Sequence, residues 1–413
     1  MKTVLTQAKK AKEASVFLRK ATTKQKNSFL VILSDLLKKN SGQILKANAR
    51  DLAENKNITS AMQKRLELSK TSLENISKAV HELVKFPDPV GKVVSTYKRP
   101  DGLIINKVRT PIGVISCIFE SRPNVIIDVA VLCIKSGNAV IVRGGKEALY
   151  SNTILLNLIQ KALTKSGLPR DAVQQLEDRR YEAINELISL ENYVDLVIPR
   201  GREELINSVA RNSRIPVIKH VRGLCHAYVD KDADLKKAIN IVVNAKTSNP
   251  ATCNSVETVL IHKAVANKVL PELLEKLFAK GVEVRGDETV VKFSKKCKKA
   301  TEKDWSEEYL ALIVSIKVVN SYDEAIKHIS KYSSGLTDSI ITENKKTAEK
   351  FKQDVDSAVV LVNASNRLSD GGEFGLGGEI GISTARIHMR GPMGLEDLTV
   401  TKYVVEGKGH IRK

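Results

Sequence analysis

Residues 102–145 read GLIINKVRTPIGVISCIFESRPNVIIDVAVLCIKSGNAVIVRGG. The first nineteen are dense in Val and Ile with turn residues between them, the pattern of short strands. Pro123 follows, and VIIDVAVLCIKSG predicts a helix. AVIVRGG predicts another strand, leading into a helix from about Lys146 to Ser166. Downstream, VDLVIPRG predicts a third strand, EELINSVARN a helix, and IPVIKHV a fourth strand. Strands alternating with helices through short connections indicate parallel βαβ units covered on both faces.

Upstream, residues 1 to about 85 carry apolar residues at helical spacing, as in SFLVILSDLLKKNSGQILKANARDL and LENISKAVHELVKF, and Pro87 and Pro89 end the run. Downstream a second α/β pattern begins near Asp230. A helix enters a loop holding Pro250 and Cys253, then SVETVLIH, VEVRG, ALIVSIKVV, SIITEN and SAVVLVN read as strands. Residues 371–382, GGEFGLGGEIGI, hold too many glycines for a regular element and predict a loop that turns sharply or closely approaches a ligand. The expected division is residues 1–229, 230–370, and a return segment 371–413.

The 413 residues carry 67 basic and 47 acidic side chains, a formal charge of +20. The lysines are scattered and aromatics make up only 4%, so no nucleic-acid partner is expected; the charge reads as solvated helix faces that would attract an anionic substrate. No run of about 18 apolar residues is present, so no membrane span is expected. The first residues lack a secretory pattern, which makes the cytoplasm the expected compartment. The five cysteines form no C-x-x-C pair, so neither a disulfide framework nor a metal site is expected. Cys117 and Cys133 read as core residues, and Cys297, in KKCKK, as part of an exposed helix.

Four places could carry chemistry. Cys253 in SNPATCNSVET lies on a turn-rich loop before a strand, where backbone N–H groups could stabilise a thiolate and an oxyanion; an inert filler is the alternative. His220 and Cys225–His226 form a cluster without a third metal ligand at suitable spacing, so a structural role competes. RGGK (143–146) and IPRGRE (198–203) each put a glycine turn and basic side chains at a helix start, suited to phosphate. His388 and Arg390 in STARIHMRGPMGLEDLT could hold a carboxylate or phosphate, or make surface salt bridges.

Taken together, VRTPIGVISCIFESRPNVIIDVA, SGNAVIVRGGKEA, IPVIKHVRGLCHAYVD, PATCNSVET and VNASNRLSDGGEFGLGGEIGISTARIHMRGPMGLEDLT resemble the γ-glutamyl phosphate reductase family of the aldehyde dehydrogenase superfamily, from about residue 8 to the C-terminus. The resemblance implies an α/β, aldehyde-dehydrogenase-like fold with two parallel-sheet domains: a dinucleotide-binding domain, 1–229, and a catalytic domain, 230–370. A small β oligomerisation arm would come from a hairpin at about 95–112 and the C-terminal stretch LTVTKYVVEGKG. It implies NADPH-dependent reduction of L-glutamate 5-phosphate to L-glutamate 5-semialdehyde with release of phosphate, the second step from glutamate to proline.

The same resemblance makes Cys253 the nucleophile, in its C-N-x-x-E-T context, by way of a thioester. Hydrolytic relatives carry a glutamate base in an E-L-G-G segment. Here that segment resembles His220-Val221-Arg222-Gly223, which spares a thioester from water, and His220 and Ser121 become candidate catalytic support. Arg143 and Lys146 fall at the adenosine ribose and favour NADP over NAD. Arg200 and Gly201 match the turn near the pyrophosphate, and Glu308 (or its neighbour Glu307) the glutamate on the nicotinamide ribose. Asn363, Arg367, His388 and Arg390 are the implied substrate-binding set. Asn366 and Leu368 depart from the usual Thr and Phe, and Arg222 from a common Asp. A homodimer or homotetramer and functional coupling to a glutamate kinase are the implied partnerships. An oxidising aldehyde dehydrogenase and a nucleic-acid-binding protein are the competing readings.

Overall fold

The computed structural model describes residues 3–56, 58–219 and 222–412. Five helices come first: α1 (Val4–Leu18), α2 (Thr23–Lys39), α3 (Ser41–Glu54), α4 (Ser60–Leu66) and α5 (Lys70–Glu82). Then follow β1 (Val93–Lys98), β2 (Ile104–Pro111), β3 (Val114–Phe119), α6 (Asn124–Lys135), β4 (Ala139–Arg143), α7 (Leu149–Lys165), β5 (Val173–Gln175), α8 (Tyr181–Leu187), β6 (Leu196–Arg200) and α9 (Glu203–Asn212). The next stretch holds β7 (Cys225–Val229), α10 (Leu235–Thr247), β8 (Val256–His262), α11 (Lys263–Ala279), β9 (Glu283–Gly286), β10 (Lys298–Lys299) and β11 (Ile313–Val319). It continues with α12 (Tyr322–Tyr332), β12 (Thr337–Ile341), α13 (Lys345–Asp354) and β13 (Val359–Val362). The short strands β14 (Ile382–Ser383) and β15 (Gly391–Pro392) and a last strand, β16 (Thr399–Glu406), complete the chain.

Two compact units result. The first comprises Met1–Lys219, Gly375–Gly381 and Met393–Lys413; the second comprises His220–Phe374 and Ile382–Pro392. The division expected after residue 229 lies earlier because β7 pairs with β8 and β12. The return segment is shared between the units instead of standing apart.

In the first unit a parallel sheet runs β5-β4-β3-β6. Strands β3 and β4 are buried almost throughout, and nearly every residue of α6 is buried, so their continuous Val/Ile runs follow from having two covered faces. The order reverses beside β3, which makes the carboxyl ends of β3 and β6 the topological switch point where such sheets bind ligands. The leading helices stop at a fixed corner. Buried Lys26 lies 2.9 Å from Asp88, which also accepts the Val90 N–H between Pro87 and Pro89. Of the segment IPVIKHV, the described residues 215–219 contribute a bridge from Val217 to Val197 and no strand. Pro216 has no N–H to donate to a ladder, and its carbonyl accepts from Val197. The expected β arm is present as an antiparallel sheet β1-β2-β16.

The second unit is built on a seven-stranded parallel sheet, β10-β9-β11-β8-β7-β12-β13. Helices α10 and α11 cover one face through Ala238, Val242, Leu270 and Leu274; the other face packs Tyr228, Leu260, Ile329 and Phe351. KKCKK is not helical. It leaves a turn and pairs Lys298–Lys299 with Arg285–Gly286 as the sheet's edge, where lysines guard an open strand.

One buried ring in this unit leads to a pH prediction. His328 is 5% exposed and packs edge-on to His226 and Trp305. Burial, helped by His226, pulls its pKa down to about 3. The unfolded chain binds this proton near the ordinary value of 6.5, while the folded chain refuses it until about pH 3. Stability therefore falls as pH drops through that window, by on the order of 2 kcal/mol at pH 5 relative to pH 7. His328→Phe keeps the ring and removes the proton. Its denaturation midpoints at pH 5 and pH 7 should lie closer together than the parent's; an unchanged pH slope sinks the assignment.

Candidate active site

The loop from Ser248 to Ser255 joins α10 to β8 and carries Cys253 at the amino edge of the second sheet. Local bonds knit it: Thr252 Oγ1 donates to the Asn249 carbonyl at 2.9 Å, the Ser255 N–H to the Thr252 carbonyl at 3.0 Å, and Ser255 Oγ to the Ala245 carbonyl at 3.1 Å. Cys253 is half-buried, with Cys225, Leu336 and Ile382 packed beneath it. Its carbonyl accepts the Cys225 thiol at 3.3 Å. Burial pushes the Cys225 thiol well up, so this second sulfur stays protonated.

Gly223 lies close against the loop that carries Cys253. A Cβ there would fall 2.0 Å from the Cys253 carbonyl oxygen and 2.6 Å from its Cα. Only glycine allows so close an approach of two backbones. On the other side, buried Asn254 donates to the Ser369 carbonyl at 2.8 Å and accepts from the Arg367 guanidinium. The departure at Asn366 is a core tie: its amide donates to the His226 and Thr337 carbonyls and accepts from Ser339 Oγ, fixing the 3-10 turn Asn366–Leu368 that presents Arg367. The structure thus brings Cys253 and Arg367 together through Asn254, a link that the sequence reading missed.

Other expected residues have different employment. Asn363 sits at φ +52°, and its amide is committed to both the N–H and the carbonyl of Thr342. Arg390 pairs with Asp356 at 2.7 Å, as does Arg386, which is the surface salt-bridge alternative. His388 is exposed at φ +76° between them. His226 is held by Asp338, 3.2 Å away, in the core, so the Cys225–His226 pair is structural. His220 lies outside the described residues. Glu308 lies on the coil between the 3-10 helix Glu302–Ser306 and β11.

In the first unit, a hollow at the carboxyl end of β4 is lined by Arg143, Gly144, Gly145, Lys146, Gln175 and Arg179, with Leu149 and Leu176 as its apolar sides. Arg143 is fixed by bonds to the Gly144 and Arg179 carbonyls, and burial pulls its guanidinium pKa down. The buried carboxylate of Asp178 also lines the hollow but is held by Arg180, so the three cations Arg143, Lys146 and Arg179, with two glycines and two leucines, suit an adenosine bearing an extra phosphate. Arg179 was not foreseen, because only the fold brings it beside Arg143. The turn at Arg200–Gly201 is different. Glu120 accepts the Arg202 N–H at 2.9 Å, so the start of α9 already holds a carboxylate, and a Cβ at Gly201 would meet that same oxygen at 2.5 Å. Arg200 itself donates to the Ile380 carbonyl. Ser121, at φ +45°, gives both its N–H and its Oγ to Glu147 at 2.6 Å, which leaves no donor there for an oxyanion.

The pattern of the Aldehyde dehydrogenase family matches residues 1–291 and 297–404. The chain is 48% identical over 412 residues to the gamma-glutamyl phosphate reductase of Thermodesulfovibrio yellowstonii, covering 99% of both chains. The chain belongs to the γ-glutamyl phosphate reductase branch of the aldehyde dehydrogenase family. The Clostridium botulinum enzyme of that name is 47% identical over the full length of both. The crystal structure of the Thermotoga maritima gamma-glutamyl phosphate reductase superposes with a TM-score of 0.95 at 44% identity, covering 100% of each chain. Aldehyde dehydrogenases are oxidoreductases that use a nicotinamide cofactor, and this chain is an oxidoreductase of that family. Among the described residues no helix is long and apolar enough to cross a membrane.

Proposed function

We propose that this chain reduces L-glutamate 5-phosphate to L-glutamate 5-semialdehyde with NADPH, releasing phosphate, in the second step of proline synthesis from glutamate. The observation that carries the reading is Cys253: a half-exposed thiol on a loop pinned on both sides, above a second thiol that burial keeps inert, whereas Cys297, also half-exposed, sits beside the edge strand β10. The Cys253 thiolate attacks the acyl carbon. A C–S bond forms, the C–O bond to phosphate breaks, and phosphate leaves with the electron pair. NADPH, when bound, supplies the hydride that converts the resulting thioester to a thiohemiacetal. Collapse of that adduct breaks the C–S bond, frees the aldehyde and regenerates the thiolate.

Arg367, steered by Asn254, is placed to hold an anionic end of the substrate. Glu308 is assigned to the nicotinamide ribose, and Arg143 and Lys146, joined by Arg179, to the 2′-phosphate. His388 remains a substrate-side candidate. Asn363, Arg390 and Ser121 are left out because Thr342, Asp356 and Glu147 already hold them. The first unit, whose parallel sheet ends at the basic hollow, is assigned to the dinucleotide; the seven-stranded unit is assigned to catalysis. Homo-oligomerisation through the arm is supported by exposed Val93, Val94, Tyr97, Tyr403 and Val405. A cytoplasmic location and functional coupling to a glutamate kinase complete the reading.

The test is a coupled assay. With glutamate, ATP and a glutamate kinase, the purified protein should oxidise NADPH, and faster than NADH. Arg143→Ala should raise KM for NADPH about tenfold to a hundredfold, the value of a charge-assisted bond, and change NADH kinetics little. Equal losses with both cofactors would remove Arg143 from the 2′-phosphate. Rapid oxidation of simple aldehydes to acids without phosphate would replace the reductase by an oxidising dehydrogenase.

A further inference from the structure

Lys246, in the last turn of α10, and Glu257, the second residue of β8, form a fully buried ion pair at 2.7 Å. Glu257 stands four residues after Cys253. Withdrawing two charges from water is expensive, and apolar residues of the same volume often stabilise a protein as well or better. Stability alone gives no reason for this pair.

Its second carboxylate oxygen leads to a reason. Glu257 Oε1 accepts the backbone N–H of Leu310 at 3.4 Å. Leu310 has φ +50°, a left-handed conformation that is unfavourable for a non-glycine residue and persists where its surroundings hold it. Leu310 follows Glu308 by two residues, on the same coil. Between them Tyr309 is anchored by Oη bonds to Asp304 at 2.9 Å and to Ser315 at 2.7 Å. The coil is thus tied down immediately after Glu308, by one side chain and one strained backbone N–H. Glu308 also lies within electrostatic range of the pair. Burial pushes Glu257 up to about 7, Lys246 opposes that rise, and Glu308 adds to it. Burial pulls Lys246 down, opposed by Glu257 and, more weakly, by Glu308.

We propose that Lys246 and Glu257 are positioning residues for the cofactor: acting through Leu310, they hold the coil that aims Glu308 at the nicotinamide ribose. This rests on the assignment of Glu308 above. Neither residue touches the reacting atoms. Lys246 opposes protonation of Glu257 and holds it in place, and Glu257 holds the left-handed turn that fixes where Glu308 points.

The test uses the full-length protein and two readouts: NADPH affinity by fluorescence titration, and the rate of Cys253 alkylation by iodoacetamide without cofactor. Glu308→Gln and Glu257→Gln should each weaken NADPH binding about tenfold, and the double variant should bind no more weakly than Glu308→Gln alone, as expected for coupled residues. Alkylation should stay at the parent rate. The double replacement Lys246→Met with Glu257→Leu should keep the parent's melting temperature yet show the same weakened binding. Additive losses in the Glu257/Glu308 double variant, or unchanged affinity in Glu257→Gln, overturn the proposal. So does a changed alkylation rate, which would put the pair's action on the nucleophile, or failure of both kinds of replacement to fold, which would make the pair structural. Should Glu308→Gln bind NADPH normally, the ribose assignment falls and this proposal with it, while the Cys253 chemistry stands.

Discussion

Cys253→Ala should lower turnover of the acyl phosphate by on the order of 10⁴-fold or more, the scale seen when a covalent nucleophile is removed. No buried thiol can take over, and Cys297 lies beside the edge strand β10. The adjacent Cys225 is buried and its thiol pKa is pushed well up, while Cys117 and Cys133 are likewise core thiols held protonated by burial. Stability should hardly change. The loop around position 253 is fixed by the bonds of Thr252, Asn254 and Ser255, which alanine at 253 leaves in place. NADPH affinity should also be unchanged, since the hollow at Arg143 is built from other residues. The measurement is single-turnover phosphate release alongside thermal unfolding. A variant that still releases phosphate at more than about one hundredth of the parent rate would take the sulfur out of the mechanism.

Gly223→Ala should have the next largest effect. The added methyl would lie 2.0 Å from the Cys253 carbonyl oxygen, and both atoms it meets most closely belong to backbone, which cannot swing aside as a long side chain can. The two segments must separate by about an ångström, and a displacement of that size at a reacting centre can cost about 10²-fold in rate. Overpacking also lowers stability, by roughly 1–3 kcal/mol. Turnover should therefore drop about a hundredfold, alkylation of Cys253 should change, and the melting temperature should fall modestly. A Gly223→Ala enzyme with the parent's kcat would mean that the approach is looser than the geometry indicates.

The sheet cores were readable because buried parallel strands leave a direct mark on composition. AVIVR and VISCIF are apolar on both faces, and both are strands with both faces covered. The misreadings have local causes. Pro216 turns an apolar run into a single bridge, and KKCKK forms an edge strand, because two residues are enough to pair there. The motif singled out Cys253, while most of its surroundings were not legible. Ser121, Asn363 and Arg390 have the right chemistry for a site, but Glu147, Thr342 and Asp356 reach them first. Those partners come together only on folding, so residue type could not reveal which donors remain. The same holds for Gly223 against Cys253, thirty positions apart, and for Arg179 beside Arg143.

The arm sheet has a consequence for how the molecule is made. Its middle strand, Ile104–Pro111, has Val93–Lys98 on one side from early in synthesis, but its other neighbour is Thr399–Glu406. At the roughly 5–20 residues per second of translation, that neighbour leaves the ribosome tens of seconds later. Through this interval a flat row of unsatisfied amides and carbonyls, flanked by Val and Ile, stands open to any passing strand. A chain shortened before codon 399 keeps that edge open for good, and should aggregate more readily than the full one.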